Sequence, residues 1–282
     1  MDEERPSVTA EGAAVMRAIH QTFDGEPKIL DDPISVRLVD AQSDIDKSRL
    51  ELLELLPAPS RLQLKATFVM RSRFAEDCLA ESIGNGVRRY VLLGAGLDTF
   101  AYRQPHWASS LRVFEVDHPA TQQWKCRHLA DAGITLPDNV SFVPVDFEKV
   151  SLATALPQAG VDLRSATFFS MLGVSQYLTE IAFDQTLEFI LSMPRLSELV
   201  FSFVATDDFH PRMTWLWLRC SSCNLRRSEN HGVLRFLPEQ LIDKLTTMGF
   251  STILHLTPEE ANQRYFQNRH NGFKAFIPGT ND

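Results

Sequence analysis

The sequence predicts a doubly wound α/β fold, in which helices cover both faces of a mainly parallel sheet. From residue 90 onward, apolar segments with strand character alternate with amphipathic helices. A glycine turn, Gly94-Ala95-Gly96, follows the first of these strands, and the second, residues 112–117, ends in an acid. Alternation of this kind gives parallel strands with right-handed crossovers, and ligands bind beyond their carboxyl ends.

The first two strands carry the residues of a nucleoside-binding βαβ unit. Residues 90–93 form an apolar run suited to a strand buried on both faces. The glycines that follow let the backbone turn sharply and approach a ligand closely, and Asp98 and Thr99 can cap a helix that opens at Phe100. Asp117 ends the second strand, about twenty residues after the glycines, where such an acid accepts hydrogen bonds from ribose hydroxyls.

The glycine loop favours S-adenosyl-L-methionine over a dinucleotide. The dinucleotide fingerprint G-x-G-x-x-G has a third glycine, and Thr99 occupies that position here. Asp98 is a poor neighbour for a pyrophosphate and an acceptable one for a cationic ligand. S-adenosyl-L-methionine has a nucleoside, a sulfonium and an amino group but no phosphate. The alternatives are a nicotinamide-dependent oxidoreductase and a non-catalytic protein that binds S-adenosyl-L-methionine.

Length and composition indicate a globular protein with one large domain, or a domain with an elaborated cap. The 282 residues are 44% apolar and 23% charged, which is enough for a full core. A net charge of −8 without a basic block argues against nucleic-acid binding. We find no membrane-spanning run and no signal-peptide core. Four cysteines then favour reduced thiols in the cytoplasm, and the Cys220–Cys223 pair lacks partners for a metal site.

Helices are expected before and between the strands. Residues 1–84 are interpreted as an N-terminal helical lid over the strand ends, or as a layer with only a packing role, and residues 85–282 as the domain that binds S-adenosyl-L-methionine. Seven strands with a closing hairpin-like pair suit the methyltransferase variant of this fold better than a six-stranded dehydrogenase. The expected helices are 9–23, 48–56, 62–82, 119–132, 179–191 and 237–248; the expected strands are 90–93, 112–117, 140–145, 166–172, 199–204, 252–256 and 273–277.

Residues 205–236 form an oversized connection after the fifth strand. Connections of this kind are usually under about ten residues, and longer ones are often functional. Its tryptophans can stack on flat rings and its arginines can pair with carboxylates, which favours a wall that binds an acidic or aromatic methyl acceptor. A dimer contact or core packing is the alternative. The aromatic, basic and metal-ligand-type residues of this segment include His210, Arg212, Trp215, Trp217, Arg219, Cys220, Cys223, Arg226, Arg227 and His231.

Several motifs together are familiar. In chain order they are VLLGAGLDTFAYR, FEVDHPATQQWK, VPVDFE and FFSMLGVSQYLT, preceded by the Asp32-Pro33 pair and by residues 70–74, MRSRF. They resemble the leucine carboxyl methyltransferase family, a group of S-adenosyl-L-methionine-dependent O-methyltransferases that includes polyketide methyltransferases. The resemblance runs from about residue 30 to about residue 205.

The resemblance implies where the methyl donor binds. The donor would lie across Gly94, Ala95 and Gly96, with its ribose on Asp117. Its adenine would lie beside Asp146 and Phe147.

The resemblance also implies an arginine, from the helix before the first strand, on the methionine carboxylate of the donor. Arg71 and Arg73 both match, and Arg73 is the first choice. A guanidinium fork suits a carboxylate, although a solvated helix arginine is the alternative. After the fourth strand many members carry a glutamate that helps to hold the donor. Leu172 stands there in this chain, which weakens any inference that the substrate is a protein phosphatase.

Catalysis of methyl transfer requires an acceptor oxygen in line with the sulfonium methyl group and exclusion of water. A carboxylate acceptor is already ionised at pH 7, whereas a phenol or alcohol needs a base such as a histidine. His118, His210 and His231 are candidate bases, and His118 can instead cap the next helix. Tyr177 can orient an acceptor. The sequence therefore predicts O-methylation of a carboxylate or hydroxyl of a small molecule or peptide, and leaves a homodimer open.

Overall fold

The fold is a parallel sheet enclosed by helices. The computed structural model describes residues 8–40, 58–147, 149–206, 234–269 and 273–275. Within these residues the sheet has five strands in the order β3-β2-β1-β4-β5, all parallel. The strand order reverses between β1 and β4, so the carboxyl ends of β1, β2 and β4 flank the crevice where ligands of such sheets bind. The strands are β1 (Arg89–Leu93), β2 (Arg112–Asp117), β3 (Val140–Pro144), β4 (Phe168–Met171) and β5 (Glu198–Phe201).

Nine α-helices surround this sheet in the described ranges. None of them is long and apolar enough to cross a membrane. Two short 3₁₀ turns accompany them, at His106–Ala108 and Ser175–Tyr177. The helices are α1 (Val8–Phe23), α2 (Pro33–Asp40), α3 (Ala58–Gly84), α4 (Phe100–Arg103), α5 (Pro119–Asp131), α6 (Leu152–Gln158), α7 (Glu180–Leu191), α8 (Pro238–Met248) and α9 (Pro258–Tyr265).

The two faces of the sheet bury separate apolar clusters because alternate side chains of a strand point in opposite directions. Val91 and Leu93 pack with residues of α7 and α8 on one face. Tyr90 and Leu92 pack with Leu79 of α3 on the other. The predicted parallel alternation is therefore confirmed, and the crevice at the strand ends rests on a sheet buried on both sides.

The count of seven strands is not confirmed. Residues 252–256 form no strand, and neither do the described residues 273–275 of the other expected closing strand. Phe273 and Ala275 are instead buried in an apolar cluster with Val69 of α3. An alternating apolar pattern reports which side chains are buried, and it does not report backbone pairing.

The Asp32-Pro33 pair begins a helix that is not among those expected from the sequence. Pro33 is the first residue of α2, a position at which the missing N–H of proline is harmless. The carboxylate of Asp32 accepts a hydrogen bond from the backbone N–H of Ser35 at 3.0 Å, as an N-cap residue does. The helix expected at 48–56 lies outside the described residues.

Candidate active site

The glycine loop closes the end of β1 over the end of β2. The backbone N–H groups of Gly94 and Ala95 both donate to the carbonyl of Val116, at 2.8 and 3.1 Å. Gly94 has φ +70° and Gly96 has φ +46°, a region that residues with a Cβ rarely adopt. A Cβ on Gly94 would also lie 2.3 Å from a methyl group of Val174. Both glycines are thus needed for the loop to lie this close to its neighbours.

Asp117 holds the same loop from the end of β2. One carboxylate oxygen accepts the N–H of Gly96 and the other accepts the N–H of His118 at 2.7 Å. Burial raises the pKa of the Asp117 carboxyl, although these two N–H groups and the charge of Lys125 act in the opposite direction. A carboxylate has about four acceptor positions. Asp117 can therefore brace the loop and still accept hydrogen bonds from a ligand.

His118 caps α5. Its Nδ1 accepts a hydrogen bond from the backbone N–H of Ala120 at 3.3 Å. Nδ1 is consequently unprotonated in this arrangement and Nε2 carries the proton of the neutral ring. The capping role that the sequence offered as an alternative is the one that the geometry shows, while a part in catalysis stays a prediction.

The residues expected beside adenine follow β3. The N–H of Val145 donates to the carbonyl of Asp117 at 2.8 Å, which places the end of β3 next to that of β2. Asp146 forms an ion pair with Lys149 at 2.9 Å. Phe147 is half-buried against the apolar cluster beneath. Asp117, Asp146 and Phe147 therefore lie at the neighbouring carboxyl ends of β2 and β3, and their part in binding adenine and ribose stays a prediction.

Leu172, Gly173 and Tyr177 follow β4 on the other side of the glycine loop. Leu172 is half-buried at the strand end. Gly173 has φ +73°, and its N–H donates to Oγ of Ser202 at 2.7 Å. Tyr177 ends the 3₁₀ turn and is 40% exposed. The turn therefore presents Tyr177 to solvent at the strand ends, where a methyl acceptor is expected.

Arg71 is a half-buried cation at the end of β4. A Cβ on Gly173 would lie 2.8 Å from Nη1 of Arg71, so the guanidinium rests against that glycine. The guanidinium also lies 4.5 Å from the ring centroid of Phe68. Its buried Nε has no hydrogen-bond partner among the described residues. Burial and the nearby charge of Arg17 lower the pKa of Arg71 to about 10, against the opposing charge of Asp98. This environment fits an anionic ligand group.

Arg73 lies on a different face of α3, because residues two apart on a helix point about 200° apart. Its Nε pairs with Asp77 at 2.7 Å and its Nη1 donates to the carbonyl of Ile29 at 2.9 Å. It lines a cavity of about 390 Å³ with Glu76, Arg103 and Trp107. The structure thus brings Arg71, and not Arg73, to Gly173 at the end of β4.

Arg17 of α1 is a site-forming residue that the sequence did not indicate. Its Nε pairs with buried Asp32 at 2.9 Å, and its Nη2 donates to the carbonyl of Leu97 in the glycine loop at 2.6 Å. Thr99 Oγ1 donates to the same carboxylate at 2.7 Å. The N-terminal helices are therefore fastened to the glycine loop. Asp32 stood in a recognised motif, whereas Arg17 carried no signal.

The long connection after β5 is described only at its two ends. The N–H of Thr206 donates to the carbonyl of Phe236 at 3.1 Å, and the N–H of Leu234 donates to the carbonyl of Gln176 at 3.4 Å. The end at Leu234 therefore lies beside the 3₁₀ turn that carries Tyr177, and the end at Thr206 pairs with it through Phe236. His231 and the Cys220–Cys223 pair lie outside the described residues. Within the described part, no group of three or more His, Cys, Asp or Glu side chains is arranged to hold a metal ion.

Comparison with known proteins identifies the family. The family model for leucine carboxyl methyltransferase matches residues 10–191. The chain is 32% identical to YktD of Bacillus subtilis (strain 168), a candidate S-adenosyl-L-methionine-dependent methyltransferase, over 98% of this chain and 96% of that protein. It is also 32% identical to a candidate methyltransferase of Mycolicibacterium paratuberculosis with the same donor, over 66% of this chain and 60% of the relative.

The fold has a solved counterpart. A candidate methyltransferase from Thermobifida fusca YX superposes with a TM-score of 0.50 at 17% identity, over 85% of this chain and 79% of that one. This likeness supports the α/β fold. The family match and the relatives support S-adenosyl-L-methionine as the cofactor, as the glycine loop and Asp117 led us to expect. The chain belongs to the leucine carboxyl methyltransferase family.

Proposed function

We propose that this protein is an S-adenosyl-L-methionine-dependent O-methyltransferase, and that its acceptor is a carboxylate or hydroxyl of a small molecule or peptide. Family membership supports methyl transfer from this donor. The observation that carries the assignment to this site is the guanidinium of Arg71, with its buried and unpartnered Nε, on the opposite side of the glycine loop from Asp117. The two side chains supply a cation for the methionine carboxylate of the donor and an anion for its ribose hydroxyls.

The residues of the crevice fit the donor. Arg71 would hold the methionine carboxylate, because a buried Nε without a partner gains a charge-assisted hydrogen bond from it. This choice replaces Arg73, whose guanidinium is used by Asp77 and Ile29. Asp117 would accept the ribose hydroxyls.

The rest of the donor lies along the strand ends in this proposal. The backbone of Gly94, Ala95 and Gly96 would pass beneath it. Asp146 and Phe147 would border the adenine, and Leu172 would pack against the donor from the end of β4.

When bound, S-adenosyl-L-methionine supplies a methyl group that is activated by its bond to the positively charged sulfonium sulfur. The protein has to orient the acceptor oxygen and exclude water. Residues 1–84 are proposed as the lid, a role supported by the bond from Arg17 to Leu97. Residues 205–236 are proposed as the acceptor wall, because Leu234, at one end of this segment, is hydrogen-bonded to Gln176 beside Tyr177.

The histidines bear on the choice of acceptor. Among the described residues at the strand ends, His118 is the histidine nearest Asp117, and its Nδ1 already caps α5. A carboxylate acceptor needs no base at all. The described part of the site therefore suits an ionised acceptor, with Tyr177 to orient it. His231 is the candidate base for a hydroxyl acceptor.

Calorimetric titration tests the donor assignment. The purified protein is titrated with S-adenosyl-L-methionine, with its demethylated product S-adenosyl-L-homocysteine, and with NAD, and Asp117→Ala is titrated beside it. We expect the two sulfur nucleosides to bind, NAD not to bind, and binding to be lost in the variant. A folded protein that binds neither sulfur nucleoside would refute the proposal.

Transfer of a radiolabelled methyl group tests the acceptor. Panels of carboxylic acids and of phenols are incubated with the protein and labelled donor, and the products are then treated with base. Methyl esters release labelled methanol under base, whereas methyl ethers do not. Release from the acid panel would identify a carboxylate acceptor. Stable label in the phenol panel would identify a hydroxyl acceptor, and label on nitrogen or sulfur would refute O-methylation.

A further inference from the structure

A fully buried ion pair lies near the carboxylate of Asp117, the residue proposed to bind the ribose. Nζ of Lys125, on α5, lies 2.7 Å from a carboxylate oxygen of Glu115, on β2, and the side chains are 1% and 0% exposed. The hydroxyl of Tyr102 donates to the same oxygen at 3.0 Å. The side-chain amide of Gln122 donates to the backbone carbonyl of Glu115 at 2.7 Å. The pair is therefore tied to both β2 and α5.

The burial of this ion pair calls for a physical explanation. Removing two charges from water is costly, and well-packed neutral residues of similar size in place of a buried pair often leave stability unchanged or raise it. The other oxygen of Glu115 is buried without a hydrogen-bond partner among the described residues. The pair is thus incompletely satisfied, and packing alone is a poor explanation for it.

Its position supplies the reason. Glu115 and Asp117 are two apart on β2, so both side chains point to the same face of the sheet. The first turn of α5 starts directly after Asp117, and Lys125 reaches back from the second turn of this helix toward β2. One buried ammonium therefore stands close to two carboxylates, of which only Glu115 is in direct contact with it.

We propose that Lys125 is the countercharge that keeps the half-buried carboxylate of Asp117, the proposed ribose ligand, ionised. The inference rests on the proposed function, since it assigns a role to Lys125 in donor binding. It makes Lys125 a positioning residue, because it acts through Asp117. The direction of its charge effect agrees: burial raises the pKa of Asp117, and the charge of Lys125 lowers it.

Other titratable groups surround Glu115, Lys125 and Asp117 and influence their ionisation. Negative charge from the glycine loop raises the pKa of Glu115, after the larger effect of burial. The positive charge that acts on Asp117 in this arrangement comes from Lys125 on α5. The titratable or charged groups that face the cluster are Asp98 on the loop, Tyr102 on α4, Glu115 on β2, and His118, Lys125 and Cys126 on or next to α5. Lys125 is the buried cation of this set.

Ionisation of Asp117 matters because a carboxylate accepts hydrogen bonds at both oxygens, whereas a carboxylic acid donates from one of them. Both oxygens already accept backbone N–H groups. A proton on either oxygen would conflict with one of these bonds and with ribose hydroxyls that donate. Donor affinity should therefore be present above the pKa of Asp117 and fall by up to about tenfold per pH unit below it.

The experiment measures the affinity for S-adenosyl-L-homocysteine from pH 5 to pH 9 by calorimetry. The variants are Lys125→Met, Glu115→Gln and the double variant Lys125→Met/Glu115→Gln. The loss of affinity at low pH is called the acid limb, and Asp117→Asn tests whether protonation of Asp117 causes it. Lys244→Met is a control for the loss of a paired lysine away from the crevice, because Lys244 of α8 pairs with Glu180 and Asp184 of α7.

Both single variants break the same ion pair, but Lys125→Met removes a positive charge whereas Glu115→Gln removes a negative one. Lys125→Met should move the acid loss of affinity to higher pH, whereas Glu115→Gln should leave it unmoved or move it to lower pH. The double variant, which leaves neither member of the pair charged, should shift in the same direction as Lys125→Met, by the same amount or less, and covers the case in which a single variant does not fold. Lys244→Met should match the wild type.

The outcomes separate this inference from the proposed function. If the wild type does not bind S-adenosyl-L-homocysteine, the proposed function fails. If it binds, an unmoved acid limb in both Lys125→Met and the double variant would overturn the role of Lys125. An acid limb that persists in Asp117→Asn, or an equal upward shift in Glu115→Gln, would overturn it as well, since it would report general weakening or a different titrating group.

Discussion

Substitution of Arg71 by methionine tests the donor site most directly. Methionine keeps a long apolar stem and removes the guanidinium that rests against Gly173. A hydrogen bond to a charged group contributes about 1.5–3 kcal/mol, so loss of one or two such bonds to the donor carboxylate costs roughly 2–4 kcal/mol. The Kd for S-adenosyl-L-homocysteine should therefore rise about 30- to 1,000-fold.

The same substitution should leave the free protein intact. Arg71 forms no ion pair among the described residues, and its Nε has no hydrogen-bond partner there, so its removal leaves no described carboxylate without a partner. We expect the free energy of unfolding to stay within about 1 kcal/mol of wild type, or to rise. Chemical denaturation measures this quantity, and calorimetry with S-adenosyl-L-homocysteine measures the affinity.

Arg73→Met is the matched control on the same helix. Its ion pair with Asp77 is 41% and 37% exposed, and pairs of this kind contribute about 0.3–0.5 kcal/mol. Donor affinity should stay within about twofold of wild type. The reasoning is refuted if Arg73→Met weakens binding more than Arg71→Met does, or if a folded Arg71→Met protein binds with wild-type affinity.

Two further predictions concern the loop and its support. Gly94→Ala should destabilise the protein by roughly 2–5 kcal/mol, because alanine disfavours the positive φ and its Cβ would clash with Val174. Gly160→Ala is the control: Gly160 has φ +85° but open space around it, so the substitution should cost only about 1–2 kcal/mol. Equal unfolding midpoints of the two variants in urea would contradict this prediction. Asp32→Asn should cost about 3–5 kcal/mol because it leaves Arg17 buried without its partner. Burial raises the pKa of Asp32, but Arg17 and other partners hold it below its ordinary value. The ionised Asp32 therefore stabilises the fold fully above about pH 4, and this contribution is lost at lower pH. Between pH 7 and pH 2 the free energy of unfolding should consequently fall less in Asp32→Asn than in the wild type.

The crevice itself was predictable because its chemistry is local. A glycine turn after an apolar run, and an acid after the next strand, specify a nucleoside site by backbone conformation and spacing alone. Gly94 and Gly96 have the positive φ that this motif requires, and Asp117 lies at the end of β2. The closing strands were less predictable, because Ile253 and Leu256 are half-buried against apolar clusters without backbone pairing, while Leu254 is 62% exposed.

The sequence by itself determined the parallel sheet, the glycine loop, the acid after β2 and the family, since each depends on residues close together in the chain. The tertiary structure alone decided which of two arginines reaches the strand ends, because the docking of α3 turns Arg71 inward and Arg73 toward Asp77. It also revealed the bond from Arg17 to Leu97, across 80 residues of chain, and the burial of Lys125 against Glu115. Long-range contacts of this kind follow from how helices pack on the sheet, and a local pattern does not encode them.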